Sequence, residues 1–488
     1  MLKYTKYFEN HNQYLEYIED SDKKLPNVSF CEDAKDVHYN PNSCVVCQYF
    51  ITDISQPTHI LHEDRMEDVK LICLDGNEIS VSDLTSDGDY QFESTGIHTI
   101  KFVFNDETSL GGENVFETCR TLVSVKIKSG ITSIPNAAFA GCSNLTSVTI
   151  PNTVTSIEDN VFDECTSLTS LKLPNGLTSI GDAAFQKCNS ILSVGPVGSG
   201  CSIEIPSGVT SFNEYLFSNC TSLEYVEIPN TVTSVGYLCL EDCTNLVSLR
   251  IPNSITTVND EAFIGCTNLS SVFINSDVIM SKITNSFKLA DMFGNQVMDY
   301  ILGDDVTSIP DYAFSNSTIE GVVIGKNVTS IGNGAFDNCR DLTHIVIPDS
   351  VTSIGNYAFT RCSSLSYATL SNSLISMGID TFSGCTSLET VNWPETLTAM
   401  PENCFGGCSS LTNFVIPKTV TQIGESVFYG CSNLISVTVK SKIPPTGDIN
   451  MFENNAVGRK IYVPYGCVPA YKKAEYWRYY STDIEEVH

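Results

Sequence analysis

From Asn114 to about Val439, apolar and polar positions recur in one fixed order. The stretch Ile131–Pro151 reads I-T-S-I-P-N-A-A-F-A-G-C-S-N-L-T-S-V-T-I-P, and it returns from Val351 as V-T-S-I-G-N-Y-A-F-T-R-C-S-S-L-S-Y-A-T-L. Within it, L-x-x-V-x-I alternates apolar and polar residues, as a short half-buried parallel strand does. The proline that follows lacks an N–H and ends the ladder. V-T-S-I then returns two apolar side chains inward, and A-F-x-x-C makes a tight convex turn around one large ring. A single copy would leave that ring, both strand faces and every edge hydrogen bond in water. Stacked copies bury all of them, so the pattern predicts a mostly β, right-handed solenoid with parallel strands on its concave face.

The ring anchors the register: Phe116, Phe139, Phe162, Phe185, Phe217, Leu240, Phe263, Phe314, Phe336, Phe359, Phe382, Phe405 and Phe428. Most steps are 23 residues. The longer step from Phe185 to Phe217 places an insertion at about 195–202, and the step from Phe263 to Phe314 places a degenerate rung at about 275–304. About fourteen rungs are expected over residues 108–440. Residues 1–57 read as a leader, with an amphipathic helix over Tyr7–Ile18 that uses Phe8, Leu15 and Ile18, and extended chain after it. Residues 58–107 alternate strand and turn signals, from V-K-L-I-C-L and D-G-N to I-H-T-I-K-F-V-F, and predict a small β module that caps the array. Residues 441–488 predict a C-terminal cap in which Pro469 starts a helix and Val468, Tyr471 and Trp477 cover the last rung.

Composition narrows the function. Lys and Arg number 27 against 57 Asp and Glu, a net charge of −30. That excess repels phosphate backbones and anionic lipid, so nucleic acid is not an expected partner. No run approaches the ~20 apolar residues that span a bilayer, so membrane insertion is not expected. Residues 1–30 also lack the apolar core of a Sec signal. Twelve of the 20 cysteines fall three residues after the ring, from Cys119 to Cys431. Neighbouring rungs lie ~4.8 Å apart with parallel side chains, against the ~3.8 Å between Cβ atoms that a disulfide needs. A ladder of small, buried, reduced thiols is expected.

The repeated A-F-x-x-C-x-x-L-x-x-V-x-I-P resembles the BspA-like leucine-rich repeat family, found on surface proteins of bacteria and some protists. The closing I-Y-V-P-Y-G-C-V-P-A-Y-K-K-A-E-Y-W is similar to the segment that often ends these arrays. P-N-V-S-F-C and H-Y-N-P near the N-terminus look like leaders on repeat proteins of gut bacteria and their phages. The resemblance implies a curved leucine-rich-repeat solenoid with a recognition role and no catalytic residues.

One constellation has the donor types for zinc: Cys44, Cys47, His59 and His62, as C-x2-C-x11-H-x2-H. Pro57 and the extended character of the second pair argue for ordinary strand and loop positions instead. Asp87-Gly88-Asp89 lacks the calcium loop that would follow it, and reads as a turn. Asn-x-Ser/Thr sequons at Asn27, Asn144, Asn219, Asn268, Asn316 and Asn327 are what a Ser/Thr-rich repeat produces by chance. No phosphate loop, nucleophile elbow or His–carboxylate motif is present, and neither an enzyme nor a cofactor is expected.

The outward positions of L-x-x-V-x-I form two columns down the concave sheet. Small hydroxyls dominate both. The middle departs from them, because Phe273, Val323 and Val346 stand where solvent should be, beside His344 and Tyr367, with Tyr225 further along the same face. Ile301 joins them if the degenerate rung keeps register; the alternative is that segment 275–304 folds over the patch. Exposed apolar surface with aromatic neighbours marks an interaction site. The expected function is therefore surface recognition or adhesion, binding a protein or glycan on a cell surface. The alternative is a structural or attachment component, on a virion for instance, with the solenoid as spacer.

Overall fold

The computed structural model describes residues 42–106 and 108–487; the helix expected over Tyr7–Ile18 lies outside them. The described chain winds into a parallel-strand β-solenoid of about 16 turns with few helices. Each regular rung contributes two short strands. The V-T-S-I segments pair in parallel, Ser133–Ile134 to Ser156–Ile157 to Ser179–Ile180. The threonine before each pair points out and donates to the same residue's carbonyl one rung back, as Thr178 does to Thr155 at 3.0 Å. The L-x-x-V-x-I segments form the concave sheet, with Ser248 beside Ser271 and Arg250 beside Phe273.

The convex turn explains the ring. Phe116, Phe139, Phe162, Phe185 and Phe217 stack with centroids 5.5–5.7 Å apart and planes within 10° of parallel. A second run extends from Phe314 to Phe452 at 4.9–5.7 Å. The residues two before and two after nearly every ring adopt left-handed backbone, for example Asn160 and Glu164 around Phe162; Glu261, before Phe263, is the exception among the rings that anchor the register. That conformation costs a non-glycine residue ~1–2 kcal/mol. It aims N–H groups at the next rung, where Asn160 bonds Asp182 at 2.8 Å and Phe162 bonds Ala184 at 2.9 Å.

The cysteine position is a hydrogen-bonding one. The Cys142 thiol donates to the Phe116 carbonyl one rung back at 3.0 Å, and Cys165, Cys188, Cys220, Cys243, Cys362, Cys385, Cys408 and Cys431 repeat the contact at 3.1–3.2 Å. Where the cysteine is missing the contact varies: Asn455 donates to the Phe428 carbonyl one rung back at 2.7 Å, Gln296 to the Cys266 carbonyl at 2.8 Å, and Ser317 to the Phe314 carbonyl of its own rung at 2.6 Å. The described cysteines are free thiols.

Several boundaries differ from the sequence expectation. Val45–Ile51, placed in the leader, is a strand that pairs antiparallel with both Gly96–Phe104 and Leu122–Ile127. Its Val45, Cys47, Tyr49 and Ile51 alternate inward and are buried, so it ties the N-terminal strands to the first rung. Phe102 then lies 5.3 Å from Phe116 at the end of the ring stack. The insertion near 195–202 is a loop followed by an additional concave strand, Ile203–Ile205, which pairs in parallel with Ser193–Pro196. Phe185 and Phe217 nevertheless stack directly at 5.5 Å, so the concave side gains a strand that the convex side lacks. Phe212 stands where most rungs have isoleucine; it is buried and packs edge-on to Phe217.

About 16 turns exceed the fourteen expected because stacking continues past residue 440. Phe452 stacks on Phe428 at 5.5 Å, although L-x-x-V-x-I is no longer recognisable around it. Val468–Lys473 forms a short helix with Pro469 in its first turn. Tyr471 and Trp477 are buried, and their polar tips donate to the carbonyls of Ser441 and Pro445 at 2.7 and 2.8 Å. Arg459 lies over the rings of Phe452 and Tyr480 and pairs with Asp483 at 2.6 Å, so its burial leaves the charge partnered.

Candidate functional site

The concave sheet runs unbroken from Ile203–Ile205 to Gly321–Val323, seven strands in all. Segment 275–304 does not cover it. Its two short helices, Asp277–Lys282 and Leu289–Phe293, take the places of V-T-S-I and the convex turn, and Phe293 sits 5.3 Å from Phe263 in the ring stack. Its strand Asp299–Leu302 keeps register, with Ile301 between Phe273 and Val323. Ile301, Val323 and Val346 are 39%, 60% and 53% exposed, which makes one apolar stripe open to solvent.

The stripe ends in two different ways. On its N-terminal side the Arg250 guanidinium lies 4.2 Å over the Phe273 ring, and its Nε is 3.7 Å from a Glu227 carboxylate oxygen. Tyr225 donates to the other Glu227 oxygen at 2.8 Å. Burial, then this bond to a carboxylate, pushes the Tyr225 phenol up to about 12. Tyr225 is therefore committed to Glu227, two rungs away from Phe273. On the C-terminal side, His344 and Tyr367 stack with centroids 5.4 Å apart and planes 21° apart, both exposed. The structure thus sets Phe273 and Val323 on one concave sheet and Val346, His344 and Tyr367 at the start of the next, along the same face, and leaves Tyr225 at the margin.

Beyond Tyr367 the face hollows. A shallow concavity of about 450 Å³ is lined by Tyr367, Ala368, Thr369, Thr390, Val391 and Asn392. A second, of about 280 Å³, shares Thr390, Val391 and Asn392 and adds Trp393, Asn413 and Val415, with the charged Glu395 and Lys440 also in its wall. Trp393 fills the inward position that isoleucine, leucine or valine holds in other rungs. The sheet divides here: Thr390–Val391 ends one set of strands and Asn413–Ile416 begins the next. Asn392 turns its amide back onto the previous rung, accepting from the Leu370 N–H at 2.7 Å and donating to its carbonyl at 3.2 Å. The sheet also divides between Gly321–Val323 and His344–Val346, where no tryptophan stands.

The four zinc-type residues do not converge. Cys44 packs with Leu71, Cys73 and Val103, whereas Cys47 belongs to the main core. His59 bonds Asp89 at 2.9 Å, and His62 accepts from the Asp64 N–H at the start of a short 3-10 helix. Burial raises both thiols, against the thiolate that a metal requires. Among the described residues, no group of three or more His, Cys, Asp or Glu could hold a metal ion.

A different histidine cluster escaped the sequence reading. His98 Nδ1 lies 2.7 Å from Asp75, and Nε2 lies 3.4 Å from the Ser94 hydroxyl. The order resembles a hydrolytic triad, but Nε2 is closer to the Ser94 carbonyl, at 2.9 Å. A carbonyl only accepts, so Nε2 carries a proton and cannot take one from serine. The cluster pins the Asp75–Gly76 hairpin to the long strand, where Asp75 also accepts from the Thr99 N–H at 2.8 Å.

Comparison with known proteins agrees with the repeat pattern. The description of the BspA type leucine rich repeat region, in 6 copies, matches residues 85–195, 199–291 and 307–435. A leucine rich cell surface protein of Faecalibacterium prausnitzii A2-165 is 26% identical over 74% of this chain and 85% of its own, with a TM-score of 0.31. A leucine-rich repeat protein of Bacteroides ovatus is 22% identical over 83% and 90%, also with a TM-score of 0.31. The Treponema pallidum leucine rich repeat protein is 25% identical over 37% and 74%, with a TM-score of 0.28. No curated protein sequence matches the chain. Among the described residues, no helix is long and apolar enough to cross a membrane.

Proposed function

The chain belongs to the BspA-type leucine-rich repeat family, and from that premise we propose that it is a non-enzymatic recognition protein of the adhesion type. Such proteins are usually surface-associated and mediate interactions. The proposed partner is a protein or glycan displayed on a cell surface, bound by the concave face. The observation that carries this reading is the row of exposed Ile301, Val323 and Val346 beside the half-buried Phe273, continued by the His344–Tyr367 stack. A plain solvated sheet would carry hydroxyls and charges at those positions, as the neighbouring rungs do. Apolar side chains held in water on a rigid sheet gain most when a partner covers them.

The test is saturable binding of the labelled chain to cell surfaces, compared with the double variant Phe273→Ser, Val346→Ser. Both positions face outward, so the variant should melt within a few degrees of wild type. Binding weakened by about tenfold or more is the expected result, the loss of roughly 1.4 kcal/mol of contact. Equal binding by two equally stable proteins would remove the stripe as the site.

A further inference from the structure

We infer that the concave face from Tyr367 to Val415 is a binding site for a neutral glycan chain laid along the solenoid axis. This names a ligand class for part of the surface proposed above and rests on that reading. Three observations carry it. First, the outward columns carry no charge. In a chain of net charge −30, the two outward columns from Gly321 and Val323 to Ser436 and Thr438 hold no carboxylate, lysine or arginine. Asp299 precedes this strip and Lys460 follows it; Glu320 and Glu389 stand one position outside the columns. Glu395 and Lys440 line the second hollow beside the columns; along the columns themselves an ionic ligand finds no counter-charge, and an uncharged one meets no desolvation cost from buried ions.

Second, the chemistry inside the strip is that of sugar recognition. Tyr367 is 45% exposed and is backed by His344, which fixes a flat ring at the edge of the larger hollow. The C–H face of a pyranose packs on such a ring. Around it stand the hydroxyls of Thr369 and Thr390 and the amide of Asn413, which both donate and accept as sugar hydroxyls do. At the division of the sheet, the strands at Thr390–Val391 and Asn413–Ile416 are not paired to each other, so their facing edges add backbone donors and acceptors.

Third, the dimensions agree. Hollows of about 450 and 280 Å³ share three lining residues and form one trough across neighbouring rungs. On this face the rings of His344 and Tyr367, on neighbouring rungs, stand 5.4 Å apart, close to the advance of one pyranose in an extended chain. Successive sugars would therefore meet successive rungs in the same register.

Trp393 supplies the readout. It is one of 2 tryptophans, and the other, Trp477, is buried in the C-terminal cap. The full chain is titrated with short neutral gluco-, manno-, galacto- and xylo-oligosaccharides, and with an oligouronate as the charged comparison, by tryptophan fluorescence and calorimetry. At least one neutral series should bind saturably, more tightly as it lengthens, and more tightly than the oligouronate. Tyr367→Ala should weaken it about tenfold or more, while Tyr367→Phe, which keeps the ring, should hold within about threefold. A silent neutral panel, a preference for the oligouronate, or unchanged binding by a folded Tyr367→Ala would each overturn the inference. If the panel is silent while Phe273→Ser, Val346→Ser still abolishes cell-surface binding, the glycan assignment falls and the concave-face reading stands.

Discussion

Replacing Phe359 by alanine tests the ring stack at its most regular point. The side chain is fully buried, 5.0 Å from Phe336 and 5.3 Å from Phe382, with both neighbours within 6° of parallel. Truncating a buried phenylalanine costs ~3–5 kcal/mol, the upper part of that range where the walls cannot collapse. Here they are held apart by ladders: Phe336 bonds Ala358 and Phe359 bonds Thr381 through the backbone, at 2.7 and 2.9 Å. Two offset ring contacts are lost as well, each ~0.5–1.5 kcal/mol beyond area burial. A loss of about 4–5 kcal/mol is expected. In a one-dimensional array it falls on the coupling between neighbouring rungs. Urea unfolding followed by circular dichroism, under reductant, should show either a midpoint shift of that size or a single transition that splits in two. Ser364→Ala, exposed in the same rung, should stay within about 0.5 kcal/mol. A Phe359→Ala loss below about 1 kcal/mol would refute the stacked-ring account.

The thiol ladder predicts two further outcomes. Native alkylation mapped by mass spectrometry should label Cys201 and Cys467, which are partly exposed, well before the buried cysteines of the array; rapid labelling of Cys362 without denaturant would contradict the fold. Burial also raises two of the ladder thiols, Cys220 and Cys431, from 9.0 to about 12. The unfolded chain loses these protons first, so stability is full below pH 9 and falls from there towards pH 12, ~1.4 kcal/mol per pH unit for each ionising thiol. An unfolding free energy that stays flat between pH 8 and 11 would count against it. Finally, Ser426 holds φ 55 two residues before Phe428, where the matching Gly334 holds φ 54. Ser426→Gly should stabilise by about 0.5–1 kcal/mol in the same urea assay; destabilisation would mean the turn is not strained there.

What the sequence revealed was whatever repeats. The ring, the thiol and the two outward columns recur at a fixed period, so their positions followed from spacing, and even Ile301 in the irregular rung could be named. Features that depend on pairing across that period were hidden. Val45–Ile51 alternates as a strand should, yet nothing local says that it joins the N-terminal strands to the first rung. The I-E-I of Ile203–Ile205 looks like the ordinary end of a rung, and only its pairing with Ser193–Pro196 makes it an added strand. Phe452 lost its flanking motif but kept its partner, because stacking asks only for a ring at the right distance. Of the site, the stripe was legible as apolar letters in outward positions. The trough beside it was not, since it lies where Thr390–Val391 and Asn413–Ile416 fail to pair, and pairing across rungs is not written in the local pattern.

The most direct test of concave-face recognition is hydrogen exchange of the full chain, free and bound to the surface component that it captures. The account predicts slowed exchange on binding in the strands from Ser271–Ile274 to Asn413–Ile416 and little change in the convex turns around Phe336, Phe359 and Phe382. Protection centred on those turns, or on the strands before Leu122, with the concave strands unaffected, would contradict it.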